Sequence, residues 1–223
     1  RLSEDSYVDL LYAGVVQLGA PLLVANFPRA YLDANREPFE LDPKLFKGKM
    51  PPQANIHSPR VIAGFGTIPR IITNERSIYK EMLPLEEGLW RIEHIFNPYH
   101  KMLKEQLDTY KDKWGSVLLV DCHSMPHLKP KLKHEKTPDI ILGDRFGTSC
   151  SSEITDSIEQ AFSVSGYQVK RNRPYAGGYI TEHYGKPVTG YHAIQIEINR
   201  AIYMNETTRE LLNNFSSLTQ DLL

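Results

Sequence analysis

The sequence predicts an α/β fold, a three-layer α/β/α domain with a mixed, mostly parallel sheet. Three observations predict it. The runs SVLLVD at 116–121 and DIIL at 139–142 are apolar and of strand length, as in strands buried on both faces. Longer segments with apolar residues at helical spacing alternate with such runs. The chain has 223 residues, 41% of them hydrophobic, which is enough to bury a sizeable core as one domain over 1–223. In a sheet of this kind, ligands bind beyond the carboxyl ends of the strands.

Taken in order, residues 3–18 read as a helix. Ser3 is its N-cap, and Val8, Leu11, Tyr12 and Val15 form its apolar stripe. PLLVAN at 21–26 and AYLD at 30–33 read as short strands. Residues 36–75 are rich in Pro, Gly and Asn, which predicts irregular loops with short strands near Val61–Ala63 and Arg70–Ile72. A long helix follows over 85–113, with Leu89, Ile92, Phe96, Tyr99, Leu103, Leu107 and Tyr110 on its buried stripe. Pro98 is expected to kink it and Gly115 to stop it. Prolines and lysines over 126–138 suggest a mobile surface loop. A helix is expected over 150–165 with Ile154, Ile158, Ala161 and Phe162 inward, then a strand at 167–171. Residues 174–191 read as a long loop, 192–200 as a strand and 207–222 as a closing helix.

Composition excludes some functions. Lys plus Arg is 26 and Asp plus Glu is 27, so the net charge is −1 and there is no footprint for nucleic acid or an anionic membrane. No apolar run approaches the ~20 residues that span a bilayer. Two cysteines, Cys122 and Cys150, are too few for a disulfide framework and fit a reducing compartment, the cytoplasm by default. No signal-peptide pattern is expected, and the chain opens at Arg1 without a methionine.

Five segments offer chemistry. Asp121-Cys122-His123-Ser124 places an imidazole at the end of an apolar strand, where it could ligate a metal with a carboxylate fixing its tautomer. A hydrogen-bonded histidine at a strand end reads the same way. Pro126 argues against a helical zinc pair of His123 with His127. In Gln195-Ile-Glu197-Ile-Asn199-Arg200, period two puts Gln195, Glu197 and Asn199 on one face and the isoleucines on the other. In a central strand that polar row is buried and a site candidate; in an edge strand it is merely wet. Arg29, Asp33, Asn35 and Arg36 could clamp a carboxylate or form a surface ion-pair cluster. The loop holding Tyr175, Tyr179, Glu182 and His183 has the glycines of a binding loop or of a tight turn. Glu4 and Asp5 favour a helix dipole and become metal ligands only in context. The cysteines read as buried apolar residues. Together these groups suit metal-assisted hydrolysis of a small acidic amide.

VDCHSMP, DIILGDRFGTSC, NRPYAGGYITEHYGKP and HAIQIEINRAIYM closely resemble the N-formylglutamate amidohydrolase family. SEDSYVDLLY and FPRAYLDANREPFELDP resemble its amino-terminal part. The resemblance implies a fold like that of the zinc carboxypeptidases and aspartoacylases. It implies hydrolysis of N-formyl-L-glutamate to formate and glutamate, a last step of histidine breakdown. By the same resemblance His123 and Asp5 are zinc ligands, and Glu197 is the general base. Asn35 and Arg36 resemble the pair that holds a substrate carboxylate, Arg29 binds the carboxylate or the oxyanion, and Tyr175, Tyr179 and His183 lie at the pocket. A His-Ser-Gly-like segment precedes SEDSYVDLLY in the family, so the third zinc ligand is expected upstream of Arg1. The alternatives are a non-catalytic relative that binds an acidic metabolite, and a deacylase or peptidase for another acyl group.

Overall fold

The computed structural model describes residues 4–72, 76–130 and 136–223. In chain order they form α1 (Val8–Tyr12), a 3-10 stretch (Ala13–Leu18), β1 (Phe46–Lys47), α2 (Pro59–Ile62), β2 (Ile71–Ile72), β3 (Arg76–Ser77) and β4 (Leu83–Pro84). Next come α3 (Leu85–Arg91), a π-helical stretch (Ile92–Phe96), α4 (Asn97–Trp114), β5 (Val117–Met125), β6 (Ile140–Gly143) and α5 (Ser152–Val164). Last are β7 (Val169–Arg171), α6 (Tyr179–Tyr184), β8 (Tyr191–Asn199) and α7 (Phe215–Asp221). Two units divide these elements, one built on Ala25–Thr109, the other on Asp5–Val24 and Tyr110–Leu223.

The second unit carries a four-stranded sheet in the order β5-β8-β6-β7. β5 runs parallel to β8, and β6 parallel to β7, while β6 and β8 are antiparallel. The sheet is therefore mixed and mostly parallel, as predicted. β8 lies inside it and is buried from Ala193 to Asn199. Its isoleucines, Ile194, Ile196 and Ile198, pack with Leu11, Tyr12, Ile140, Leu142, Phe162 and Leu218 into one core. Each such side chain contributes about 1.5–3 kcal/mol of burial. This settles the Gln195–Asn199 row as a buried polar face rather than a wet edge. β5 departs from expectation. It borders the sheet, and Leu118 is 38% exposed, so the 116–121 run is not covered on both faces. The strand also continues through Asp121–Ser124 and buries that end instead.

The first unit is irregular, as its Pro- and Gly-rich sequence predicts, with two small ribbons, β1 beside β4 and β2 beside β3. Ile71–Ile72 confirms the strand expected there. Val61 and Ile62 are helical instead, because Ser58 Oγ accepts the Val61 amide and Pro59 occupies the first helical position. The strands expected at 21–26 and 30–33 do not form. Leu23 and Val24 are exposed in coil without a pairing strand, and the Pro28 carbonyl takes the Tyr31 and Leu32 amides to close a turn.

The long helix is continuous from Leu85 to Trp114. The π-helical turn just before Pro98 accommodates the amide bond that proline cannot make. Ile92, Phe96, Leu103 and Leu107 are buried, whereas Leu89, Tyr99 and Tyr110 are half-buried. Gly115 ends the helix in the left-handed region at φ 79°. The first helix is shorter than expected, α at Val8–Tyr12 and 3-10 beyond, and Ser3 lies outside the described residues. Of the loop expected at 126–138, residues 131–135 also lie outside them. In α5, Ala161 faces outward and Thr155 takes the inward place. The stretch expected as a loop at 174–191 contains α6, whose Ile180 and Tyr184 are one turn apart and buried. The closing helix begins only at Phe215, because the Asn205 side chain accepts the Thr207 and Thr208 amides and holds a turn there.

Candidate active site

Register decides which side chains share a face. Asp121 pairs with Gln195 and His123 with Glu197 across β5 and β8. Paired positions point to the same side of a sheet, so these four polar residues form one patch, opposite the isoleucines. All four are buried. His123 sits between two carboxylates. Its Nε2 lies 2.9 Å from Asp121 Oδ1 and its Nδ1 lies 3.1 Å from Asp5 Oδ2. Burial alone would push the imidazolium down, but Asp121 and Asp5 outweigh it and hold His123 well above the ordinary histidine range.

Asp5 is itself held. The Ser124 amide donates to its Oδ1 at 2.8 Å, and the Ser124 hydroxyl lies 3.3 Å from the same oxygen. Arg200, buried at the end of β8, donates from Nε to Ser124 Oγ at 3.0 Å and from Nη2 to the Ser124 carbonyl at 3.3 Å. Gln195 Nε2 donates to Glu197 Oε1 at 2.8 Å. Tyr175 is raised by burial first and by the Glu197 carboxylate second, which sets its phenol in the field of that carboxylate.

The first unit has its own cluster, on the turn after Pro28. Arg29 Nε donates to Asp33 Oδ2 at 2.9 Å, and the Asn35 amide donates to Asp33 Oδ1 at 3.0 Å. Arg36 Nη2 lies 3.4 Å from Asp33 Oδ2, while its Nη1 and Nε donate to the Asn35 and Phe65 carbonyls at 2.8 and 3.2 Å. Burial works to raise the Asp33 carboxyl, and the guanidinium groups of Arg29 and Arg36 more than offset it, so Asp33 lies below its usual value. Arg36 in turn is pushed down by burial, with Asp33 opposing. A guanidinium stays charged regardless. The segment is a built cluster around a buried carboxylate, not a loose surface ion pair.

The sequence model of the N-formylglutamate amidohydrolase family matches residues 1–204. The chain belongs to that family. N-formylglutamate deformylases of Pseudomonas putida and Pseudomonas aeruginosa are each 32% identical to it, over 91% of this chain and 71% of theirs. The crystal structure of an N-formylglutamate amidohydrolase from Ralstonia eutropha JMP134 matches with a TM-score of 0.92 and 34% identity, over 100% of this chain and 80% of that one. A gene product of Agrobacterium tumefaciens matches at a TM-score of 0.53 and 18% identity over 86% of this chain and 65% of that one, a likeness of fold alone.

Within this member of the N-formylglutamate amidohydrolases, Asp5, His123 and Glu197 fall in one unit with Tyr175, and Arg29, Asn35 and Arg36 in the other. Tyr179 and His183 stack on each other along α6, with the Tyr179 hydroxyl 3.2 Å from His183 Nδ1 at an exposed position. His127 follows the strand in coil near Asn199, so it forms no helical pair with His123. Cys122 and Cys150 are free thiols raised by burial, which makes both poor nucleophiles. Sequence reasoning placed Arg200 at the end of the Gln195 segment but gave it no role. Its signal was a lone arginine directly after a buried strand, a position where a charge needs a partner. No helix among the described residues is long and apolar enough to cross a membrane.

Proposed function

We propose that this protein hydrolyses the amide bond of N-formyl-L-glutamate to formate and L-glutamate with the help of one zinc ion. The observation that carries the reading is the string Asp5–His123–Asp121 with Glu197 at the strand position paired to His123. The donor chemistry fits zinc. If the imidazole gave up its Nδ1 proton to a metal and kept the Nε2 proton for Asp121, Nδ1 and the Asp5 carboxylate would converge as a nitrogen and an oxygen donor. Among the described residues no cluster of three His, Cys, Asp or Glu suited to a metal occurs. Asp5 and His123 would thus supply two of the three protein ligands that a catalytic zinc takes.

Bound zinc would lower the pKa of water toward ~7 and polarise the formyl carbonyl. The protein's own groups do the rest. Glu197 takes a proton from the attacking water and passes it to the leaving amine. Asn35 and Arg36 hold the substrate carboxylate, and Arg29 the carboxylate or the developing oxyanion. Tyr175, and less directly Tyr179 and His183, line the substrate. The family membership and the 32% identical deformylases support the substrate assignment. The mixed sheet supports the three-layer arrangement of the zinc carboxypeptidases and aspartoacylases.

The test is formate release from N-formyl-L-glutamate by the full chain. Release that stops with chelator and returns with zinc is expected. Release that chelator leaves untouched overturns the zinc role, and faster turnover of N-acetyl-L-glutamate overturns the formyl assignment.

A further inference from the structure

We propose that Gln195 is a positioning residue that fixes the carboxylate of Glu197, and that the Gly178 amide fixes Gln195. The inference rests on the reading of Glu197 as the general base. Gln195 and Glu197 stand two residues apart on β8, so their side chains share a face and run side by side. Only 5% of Gln195 and 8% of Glu197 is exposed. Two polar side chains buried this deeply need partners.

Their partners also determine which way the amide points. The Gly178 N–H lies 2.8 Å from Gln195 Oε1. A backbone N–H only donates, so that atom is the oxygen and the amide nitrogen is left to face Glu197 Oε1 at 2.8 Å. The flipped amide would set two donors against each other at Gly178 and two acceptors against each other at Glu197. One orientation survives, and it pins one oxygen of the carboxylate with a donor.

Gly178 is anchored in its turn. The Thr181 hydroxyl donates to its carbonyl at 2.9 Å. The Arg145 amide donates to the Ala176 carbonyl at 2.8 Å. Gly143 shares the face of Gln195 by register, and a Cβ there would lie 2.8 Å from the Ala176 carbonyl carbon and from the Gly177 nitrogen. The missing side chain at Gly143 is what lets the 176–178 backbone cross the polar face and deliver an amide to Gln195. Gly143, Gly178, Gln195 and Glu197 thus form one chain of fixed contacts ending at the base.

The test uses Q195E and Q195M in the full chain. Q195E keeps an acceptor for Gly178 and replaces the fixed N–H donor to Glu197 by a second carboxyl, which repels it or shares a proton with it, whereas Q195M removes both contacts. Both are expected to lower kcat about 10- to 100-fold with KM within about threefold of the parent, as for a misplaced catalytic group. A crystal structure of either variant is expected to show the Glu197 carboxylate displaced from its parent position. A kcat within about twofold of the parent in Q195E, or a Glu197 carboxylate that stays in place, overturns the inference. Should Q195M fail to fold, Q195E decides alone. Should the parent release no formate, the proposed function fails, and the position of Glu197 in the variant crystals still decides whether Gln195 holds it.

Discussion

The two units build their polar clusters by opposite means. In the second, Asp121, His123, Gln195 and Glu197 are placed by strand pairing, which sets direction and spacing before any side chain interacts. In the first, Arg29, Asn35 and Arg36 lie on a turn, and one buried carboxylate, Asp33, takes a contact from each. The difference teaches where each cluster is fragile. A residue on the paired strands can lose its chemistry while the framework stays. A turn collected around a single carboxylate loses its shape when that carboxylate goes.

The largest expected effect is therefore one of chemistry without structure. E197Q keeps the side-chain volume and can still accept from Gln195. Its kcat is expected to fall about a thousandfold, within the range for loss of a general base, with the melting temperature close to the parent's. A melting temperature that falls with kcat would mean that the second cluster is as fragile as the first, and near-normal turnover would remove Glu197 from the mechanism.

D33N is expected to do the reverse. It leaves two guanidinium groups without their shared carboxylate, at a cost of about 3 kcal/mol in unfolding free energy. The pH signature sharpens the point. Asp33 lies below its usual value in the folded chain, so its contribution is fully present above the unfolded pKa of ~3.9 and is lost as pH falls through the folded one. The stability gap between parent and D33N should hold steady above about pH 5 and narrow below about pH 4 in denaturant titrations. A gap that stays constant on acidification would show that Asp33 does not hold the turn through its charge.

Sequence legibility follows the same division. The alternation in 194–199 marks one polar and one apolar face whatever lies nearby, so Glu197 was readable, and burial on both sides followed from β8 being interior. His123 was readable as the polar end of an apolar run. Gln195 was readable as a member of the row but not as a link, because its partner Gly178 depends on the path of a loop over Gly143. Arg200 finds Ser124 at a separation of 76 residues, beyond any local pattern. The misread strands show the converse. Apolar residues at 21–26 lack a pairing strand, and a local cap at Ser58 decides the helix at 59–62. Local capping and period two are written in the sequence, whereas pairing and loop paths are decided by the whole chain.

The smallest predicted effect tests whether the turn cluster serves binding at all. Arg36 spends Nε and Nη1 on the Phe65 and Asn35 carbonyls and Nη2 on Asp33, and a guanidinium carries five N–H donors. Three contacts fix the fork while leaving donors for a carboxylate. R36A is expected to raise KM for N-formyl-L-glutamate about thirtyfold, the loss of a charge-assisted hydrogen bond worth about 2 kcal/mol. Turnover of a neutral N-formyl amide should change little. R36K, which keeps the charge but not the planar fork, should recover only part of the binding. Equal losses on the acidic and the neutral substrate would assign Arg36 to holding the Asn35 and Phe65 backbone. The first cluster would then be scaffolding, and the carboxylate of the substrate would have to be held elsewhere.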